Sequence, residues 1–393
     1  PRWHALPVLG NALEVVRPDF HRLLLEWANK YGGIYRVKVL WMEGLVVTDP
    51  AAVAAICGRG AEGLDKADIV YSPINQMCTP RAHPNLLTSP ADNKWKAVRK
   101  AVAVSFSANN IRKKFPVSIS RQIAGAAHVD VDQAALRVTL DVIGLAAFSH
   151  NFGSTELGPP SVPAPYTHLL RVLPRCFTEV MLRVANPLRA LAPSKWRGGE
   201  KGQQSFFDFH AEMRMLLHKC LARTDPPDAQ DVSIGAQLWR LYHESQGAAD
   251  GPSTEQGDAE GDLAAGGLPL FQENPKNCKH WMHPLISCPP LAGKRGAERI
   301  MSEIGILFVE GFETTGHTIS WTLLKVATTP DVQDRIAAEL DDLGLLVSHK
   351  PAAPGARPLA LDDLPSLKYL TACIKESMRM LPVVSIMGRY VVH

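Results

Sequence analysis

The sequence predicts a mainly α-helical protein that carries small β-sheets. Residues 304–326 and 133–150 are apolar stretches with the length of long helices rather than of strands. Residues 34–40 and 45–48 are short runs with strand composition, and a turn is expected near Glu43 and Gly44. These observations predict a small sheet near the N-terminus, followed by a large helical body.

Composition excludes several classes of protein. The 393 residues are 46% hydrophobic and 21% charged with a net charge of +3, so neither a disordered chain nor a nucleic-acid-binding one is indicated. The seven cysteines are scattered and odd in number, which favours reduced thiols over a disulfide framework. No run of about 20 apolar residues and no signal peptide occurs, so we expect no transmembrane span and no anchor in this chain.

Local signals place helix starts in the first part of the chain. Residues 19–30 have the apolar spacing of an amphipathic helix. Asp49 is predicted to cap a second helix with Pro50 at its first position, and Asp92 is predicted to open a third. Residues 133–150 are predicted to form a core helix.

Prolines divide the region that follows. Residues 166–223 predict two or three helices, with breaks at Pro174, Pro187 and Pro193. Residues 232–244 predict another helix.

A low-complexity insertion is predicted within residues 224–299. Its segment 247–267 is rich in Gly, Ala, Asp and Glu, and we expect it to be disordered. Residues 268–294 contain two cysteines and two histidines, but their irregular spacing in a loop-like context argues against a zinc site. A surface insertion and translated non-coding sequence both stay open for this segment.

The stretch at 304–326 organises the prediction because it is polar only at its centre. Glu310, Thr314 and Thr318 follow one another at intervals of four and therefore share one side of a helix, with Gly311 and Thr315 beside them. Burial of such groups is costly unless they are used. Two interpretations are open: a core helix with a polar seam toward a neighbouring element, or a surface that holds a bound group.

Two sequence motifs, which occur in the order typical of one protein family, favour the second interpretation. Residues 310–315, EGFETT, resemble the (Ala/Gly)-Gly-x-(Asp/Glu)-Thr-(Thr/Ser) signature of the cytochrome P450 family. Glu376 and Arg379 resemble the Glu-x-x-Arg motif of the same family, and this spacing allows a charge pair on one helix face. Residues 1–223 and 298–393 are identified as similar to this family.

Further matches extend the resemblance to cofactor-binding positions. Trp95 and Arg99 look like the Trp-x-x-x-Arg of the family, whose members hydrogen-bond a haem propionate, and Arg389 lies where the family keeps another propionate-binding arginine. The resemblance implies that Gly311 and Thr315 also belong to the cofactor-binding set. It implies that the cofactor is haem b, iron protoporphyrin IX.

The resemblance implies a reaction and roles for its residues. The reaction is the insertion of one oxygen atom from O₂ into an organic, lipophilic substrate, with electrons from NADPH through a reductase or ferredoxin. Thr314 would hydrogen-bond the bound oxygen and Glu313 would relay protons to it. Glu376 and Arg379 would form a structural pair. Glu310 replaces the usual Ala or Gly, and a covalent link from its carboxylate to haem stays open.

The family architecture also implies what this chain does not contain. We expect a single cytochrome P450 domain over 1–393, incomplete at its C-terminus, because the loop with the haem-ligating cysteine would lie beyond His393. No residue of this chain is therefore predicted as a metal ligand, and the chain as given is expected to be inactive.

One alternative class stays open, together with the cellular setting. An inactive truncated family member, or a non-catalytic helical binding scaffold, would share the same motifs. The predicted partners are a small lipophilic substrate, O₂ and a redox partner, with no nucleic acid. The parent protein is expected at the cytosolic face of the endoplasmic reticulum membrane or in a plastid.

Overall fold

The structure, a computed structural model, describes residues 9–15, 17, 19–58, 64–107, 130–155, 167–186, 189, 192–247, 294–345, 357 and 359–391. The chain divides into two compact units. The first unit comprises Pro1–Trp95, Val172–Ala211 and Ser385–His393, and the second comprises Lys96–Arg171 and Glu212–Val384. The single domain expected from the family stays a prediction, and each unit is described separately.

The predicted fold class, mainly α with small β-sheets, is confirmed. The α-helices among the described residues are α1 (Ala12–Val15), α2 (Phe20–Tyr31), α3 (Pro50–Cys57), α4 (Asp68–Cys78), α5 (Asn93–Ser105), α6 (Val131–Phe148), α7 (Thr167–Ala185), α8 (Gly199–Leu221), α9 (Ile234–Gly247), α10 (Lys294–Ala327), α11 (Pro330–Asp342) and α12 (Lys368–Met380). Short 3₁₀ turns span Pro193–Lys195 and Leu361–Ser366. The strands are β1 (Ile34–Val39), β2 (Met42–Val47), β3 (Leu64–Lys66) and β4 (Arg389–Val391).

The core of the first unit begins where α2 packs on the hairpin of β1 and β2. Trp27, Tyr35 and Val37 are buried together, and the two aromatic rings meet edge-on with centroids 6.2 Å apart. The Tyr35 hydroxyl donates to the Leu24 carbonyl at 2.8 Å, which satisfies its polar end inside the core.

The hairpin turn differs from its prediction. β1 and β2 pair in antiparallel register from Ile34↔Val47 to Val39↔Met42, so the turn consists of Leu40 and Trp41 rather than Glu43 and Gly44. Leu40 takes the left-handed conformation with a φ of 55°, which a glycine-based prediction could not anticipate. Gly44 instead lies within β2 opposite Val37.

Proline also behaves differently from its prediction at one position. α7 continues through Pro174 without ending, and the Thr178 hydroxyl donates at 2.8 Å to the Pro174 carbonyl. The predicted break at Pro174 is therefore wrong, because packing on both sides of the proline maintains the helix. Pro193 does interrupt helical structure and opens a 3₁₀ turn. Pro187 and residues 248–293, which hold most of the predicted insertion, lie outside the described residues.

The second unit is built around α10. α6 packs along it, and the Thr139 hydroxyl donates to the Phe312 carbonyl at 2.9 Å across the two helices. α11 and α12 pack against α10, and Glu339 of α11 accepts the Tyr369 and Leu370 amides at the start of α12, at 2.7 and 2.9 Å. Of the helices that the structure describes, none is both long and apolar enough to cross a bilayer.

Candidate functional site

One side of α10 carries a polar ladder that consists of Glu310, Thr314 and Thr318. Thr318 and Thr322 donate their hydroxyls to the carbonyls four residues earlier at 2.7 and 2.8 Å, and Thr314 donates in the same way to the Glu310 carbonyl. Glu310, Thr314 and Thr318 are half-buried. The hydroxyls of Thr314 and Thr318 are thus satisfied within the helix, and each could exchange that bond for one to a guest.

Contact with α6 explains the two glycines of the motif region. A Cβ on Gly311 would overlap the Ile143 side chain of α6, and a Cβ on Gly316 would lie 2.7 Å from Leu136 Cδ2 and 3.1 Å from Thr139 Oγ1. Close approach of two helices therefore requires both glycines. The structure gives Gly311 a packing role toward α6, and its predicted role toward a cofactor stays a prediction.

Substitution of Gly311 tests that packing role. Gly311→Ala is expected to destabilise the protein by about 1–2 kcal/mol, because overpacking at Ile143 exceeds the gain of roughly 1 kcal/mol in helix propensity. Thermal and urea unfolding would measure the change. Ile143→Val removes the overlapped methyl group, so the double variant should be more stable than the sum of the single effects predicts; strict additivity would refute the packing role.

Glu313 lies near a histidine that the sequence analysis did not identify. His317, one turn later on α10, places Nε2 at 3.7 Å from Glu313 Oε1 and Nδ1 at 2.9 Å from Asp132 Oδ1 of α6. The Glu313 side chain is 13% exposed, that of His317 32% and that of Asp132 44%. The interval of four between Glu313 and His317 was visible in the sequence, whereas Asp132 is brought in only by the packing of α6.

The two carboxylates control the protonation of this imidazole. Glu313 chiefly, and then Asp132, raise the pKa of His317 to about 9 against the opposing effect of burial. The folded pKa is above the ordinary value of 6.5, so the stabilisation from the imidazolium is complete below that value and is lost as the pH rises through about 9. At neutral pH the ring carries a proton on both nitrogens.

Trp95, in the first unit, does not offer a free donor. Its indole N–H donates to the Leu86 carbonyl at 2.7 Å, and the Lys66 ammonium lies 4.8 Å from the ring centroid. Because indole has a single N–H, a bond from Trp95 to a propionate would require the loss of the bond to Leu86. The bond from Trp95 to the cofactor stays a prediction, and it would require the Leu86 carbonyl to lose its hydrogen-bond donor.

The two predicted propionate arginines are exposed and lie in different units. Arg389, in β4 of the first unit, donates to the Tyr71 hydroxyl at 3.3 Å and to the Gly388 carbonyl at 3.0 Å. Arg99, on α5, belongs to the second unit, as do Gly311 and the exposed Thr315. Both guanidinium groups are cations within reach of solvent and so are suited to carboxylates.

Glu376 and Arg379 form the pair that their spacing predicts. The guanidinium donates to both carboxylate oxygens at 2.8 and 2.6 Å, and this lowers the pKa of Glu376. The side chains are 55% and 69% exposed. An exposed pair of this kind contributes little to stability, so its structural role stays a prediction.

A cavity of the second unit is too small for a tetrapyrrole. It has about 20 Å³, lies among α5, α9 and the first half of α10, and is lined by residues that include Val102, Leu238 and Leu307. That volume admits about one water molecule. The mostly buried residues 300–309 of α10 form a packing surface, and the half-buried polar ladder begins only after them.

Comparison with known sequences decides the family. The family model for Cytochrome P450 matches residues 1–247 and 292–393, which include every motif described above. The chain belongs to the cytochrome P450 family. The unmatched residues 248–291 fall within the predicted insertion.

Curated relatives agree with this assignment. Cytochrome P450 monooxygenase claW from Ampulloclitocybe clavipes is 23% identical over 378 residues, which are 92% of this chain and 60% of that protein. Cytochrome P450 4V2 from Mus musculus is 35% identical over 126 residues, or 32% of this chain and 22% of that protein. Cytochrome P450 4c3 from Drosophila melanogaster is 35% identical over 94 residues, or 24% and 16% of the two chains. The chain thus spans at most 60% of the length of these relatives.

The described residues fit haem, the cofactor of this family, in part. Exposed arginines suit its carboxylates, and the polar ladder of α10 supplies hydroxyls and a carboxylate. Cys220 does not suit its iron, and of the other described cysteines Cys78 and Cys176 are buried, Cys373 lies on α12 and Cys57 is exposed. Burial raises the pKa of Cys220 to about 11, which keeps it a thiol, whereas iron binds a thiolate.

Proposed function

We propose that the whole protein is a haem-dependent monooxygenase that inserts one oxygen atom from O₂ into an organic, lipophilic substrate. The observation that carries the proposal is the joint position of Glu313 and Thr314 on α10 of a cytochrome P450 chain: a mostly buried carboxylate directly before a half-buried hydroxyl. Haem, when bound, supplies the chemistry that activates O₂. Arg99 of the second unit would hold one of its carboxylates, and the role of Arg389, in the first unit, stays a prediction.

Residues of α10 would donate and replace the protons that the reaction consumes. The Thr314 hydroxyl, which donates to the Glu310 carbonyl, would turn from that bond and offer its proton to the substrate O₂. Glu313 would replace that proton, directly or through water. This exchange needs only neighbouring groups of α10, because the Thr314 hydroxyl can donate to the Glu310 carbonyl again once O₂ has left.

We further propose the partners and the setting. Lys96 and Lys100 are exposed on α5 in the second unit, and such cations favour an acidic redox partner that passes on electrons from NADPH. A lipophilic substrate favours a membrane-associated protein at the endoplasmic reticulum or in a plastid. An inactive family member or a helical scaffold would have the same fold but would turn over no substrate.

Thr314→Ala tests the proposal in the full-length protein. Product formed per electron consumed is expected to fall roughly 10- to 100-fold, with hydrogen peroxide released instead, because the oxygen loses its proton donor. Product, peroxide and electron-donor consumption are measured together over a panel of fatty acids, sterols and terpenoids.

Thr322→Ala is the matched control. Thr322 is the same residue type with the same bond to the preceding turn, two turns further along α10. Its coupling should remain that of the wild type. Equal coupling in both variants would exclude Thr314 from the role, and a wild type that forms no product with any substrate would favour the inactive alternative.

A further inference from the structure

His317 joins Glu313 to the protein surface. Its ring lies between a mostly buried carboxylate of α10 and an exposed carboxylate of α6, with one nitrogen toward each. Glu313 needs such a connection, because its Oε2 atom is buried and has no hydrogen-bond partner among the residues that the structure describes. A carboxylate in that position is costly unless it exchanges a proton or a partner during function.

We propose that His317 is the positioning residue and proton carrier that connects solvent with Glu313, and that Asp132 holds its ring in place. The proposal deepens the proposed function and rests on it only for the use made of the proton. The contact between the three side chains is present whatever reaction the protein performs. Neither His317 nor Asp132 belongs to the motifs from which the family was recognised.

The transfer balances in protons and charge. The imidazolium gives its Nε2 proton to Glu313, so that an ion pair becomes a neutral imidazole and a carboxylic acid. The 3.7 Å between Nε2 and Glu313 Oε1 is an ion-pair distance, and a small side-chain rotation brings it to hydrogen-bond length. The ring then regains a proton from water, since 32% of its side chain is exposed. Asp132 stays ionised and keeps Nδ1 protonated.

Carboxylates on two helices favour the protonated form of His317. Glu313 acts from its own helix and Asp132 from α6, and among the described residues these two carboxylates are the charged groups that affect its protonation. Both favour the imidazolium, so the carrier is charged at neutral pH. Loss of either carboxylate should lower the pKa of the ring.

The first experiment measures the contact and does not depend on catalysis. The ring nitrogens of His317 are followed by NMR against pH in the ¹⁵N-histidine-labelled chain, with His317→Gln used for assignment. The wild type is expected to titrate near pH 9, and Glu313→Gln and Asp132→Asn should each titrate at a lower pH. A titration that neither substitution moves would overturn the inference.

The second experiment measures the use of the proton in the full-length protein. His317→Gln keeps an amide N–H₂ group that can donate to a neighbouring carboxylate but cannot carry a proton. We expect roughly a tenfold loss of product per electron, a larger solvent deuterium isotope effect and an altered pH profile, all measured at a temperature where the variant is folded. The melting temperature should fall at neutral pH, because the stabilisation from the imidazolium is lost.

The two experiments distinguish a failure of the proton-carrier role from a failure of the proposed function. Coupling and isotope effect equal to the wild type in His317→Gln would overturn the carrier role while the proposed function stands. A wild type that forms no product, together with the expected NMR titrations, would overturn the proposed function and the use of the proton, but would support the three-residue contact.

Discussion

Glu179→Gln is expected to lower the free energy of unfolding by about 3–5 kcal/mol, because two buried guanidinium groups would lose the carboxylate they share. Glu179, Arg183 and Arg189 are 1%, 2% and 7% exposed at their side chains. Arg183 Nε donates to Glu179 Oε1 at 2.8 Å, and Arg189 Nη2 donates to Oε2 at 2.8 Å. Glutamine keeps the shape but removes the charge, so both cations would stay buried without compensation.

This cluster connects several segments of the first unit. Arg183 also donates to Gln76 of α4 and, at 2.6 Å, to Gln203 of α8, while its guanidinium lies 4.6 Å from the centroid of the Phe206 ring. A single side chain of α7 thus holds two other helices. A Cβ on Gly202 would overlap the Glu179 carboxylate, so the sequence keeps a glycine there.

The measurement is the shift of the urea unfolding midpoint, with Glu43→Gln as the control. Glu43 pairs with Arg36 at 3.3 Å in the same unit, but both side chains are exposed, so its loss should cost less than about 1 kcal/mol. A triple variant, Glu179→Leu with Arg183→Met and Arg189→Met, should recover much of the loss, because no unpaired charge remains. A loss no greater than that of Glu43→Gln would contradict the prediction.

Local signals predicted the parts of the fold that local chemistry determines. Asp49 accepts the Ala52 amide at 2.8 Å with Pro50 next to it, and Asp92 accepts the Trp95 amide at 2.7 Å, as their cap assignments require. The turn at Leu40 and the continuous helix through Pro174 were missed, because tertiary packing there outweighs the usual preferences for glycine turns and against proline in helices.

The candidate site was likewise predictable only where residue spacing along one helix determines it. The i, i+4 spacing from Glu310 to Thr318 correctly placed the polar ladder on one side of α10. The contact of Asp132 with His317 joins residues 185 positions apart, and the bond from Trp95 to Leu86 depends on the course of a loop. No periodicity in the sequence carries that information.

Asp141→Ala is expected to destabilise the protein by roughly 3 kcal/mol, because one buried carboxylate organises the loop after α6. Asp141 is 2% exposed. It accepts the Ser154 amide at 2.9 Å, the Ser154 hydroxyl at 2.8 Å, the Thr155 amide at 3.0 Å and the Thr155 hydroxyl. Without it, two amides of the loop lose their acceptor.

The loop matters to the site because it places an aromatic ring against α10. The Phe152 ring meets the Phe308 ring with centroids 5.7 Å apart, and a Cβ on Gly144 would overlap Phe152. Asp141 and Gly144 therefore act together: the carboxylate fixes the loop and the glycine leaves room for its ring. Loss of Asp141 should loosen the contact with the helix that carries Glu313 and Thr314.

Hydrogen exchange and thermal unfolding together test this. In Asp141→Ala the Ser154 and Thr155 amides should exchange faster than in the wild type, and the melting temperature should fall. Asp130→Ala removes an aspartate from the N-cap of the same helix, where it accepts the exposed Gln133 amide at 3.1 Å, and should cost only about 1 kcal/mol. Because the two variants remove the same side chain from one helix, the difference between them measures what burial adds to an acceptor. Equal losses would mean that Asp141 acts merely as a surface acceptor and that packing alone holds Phe152 against α10.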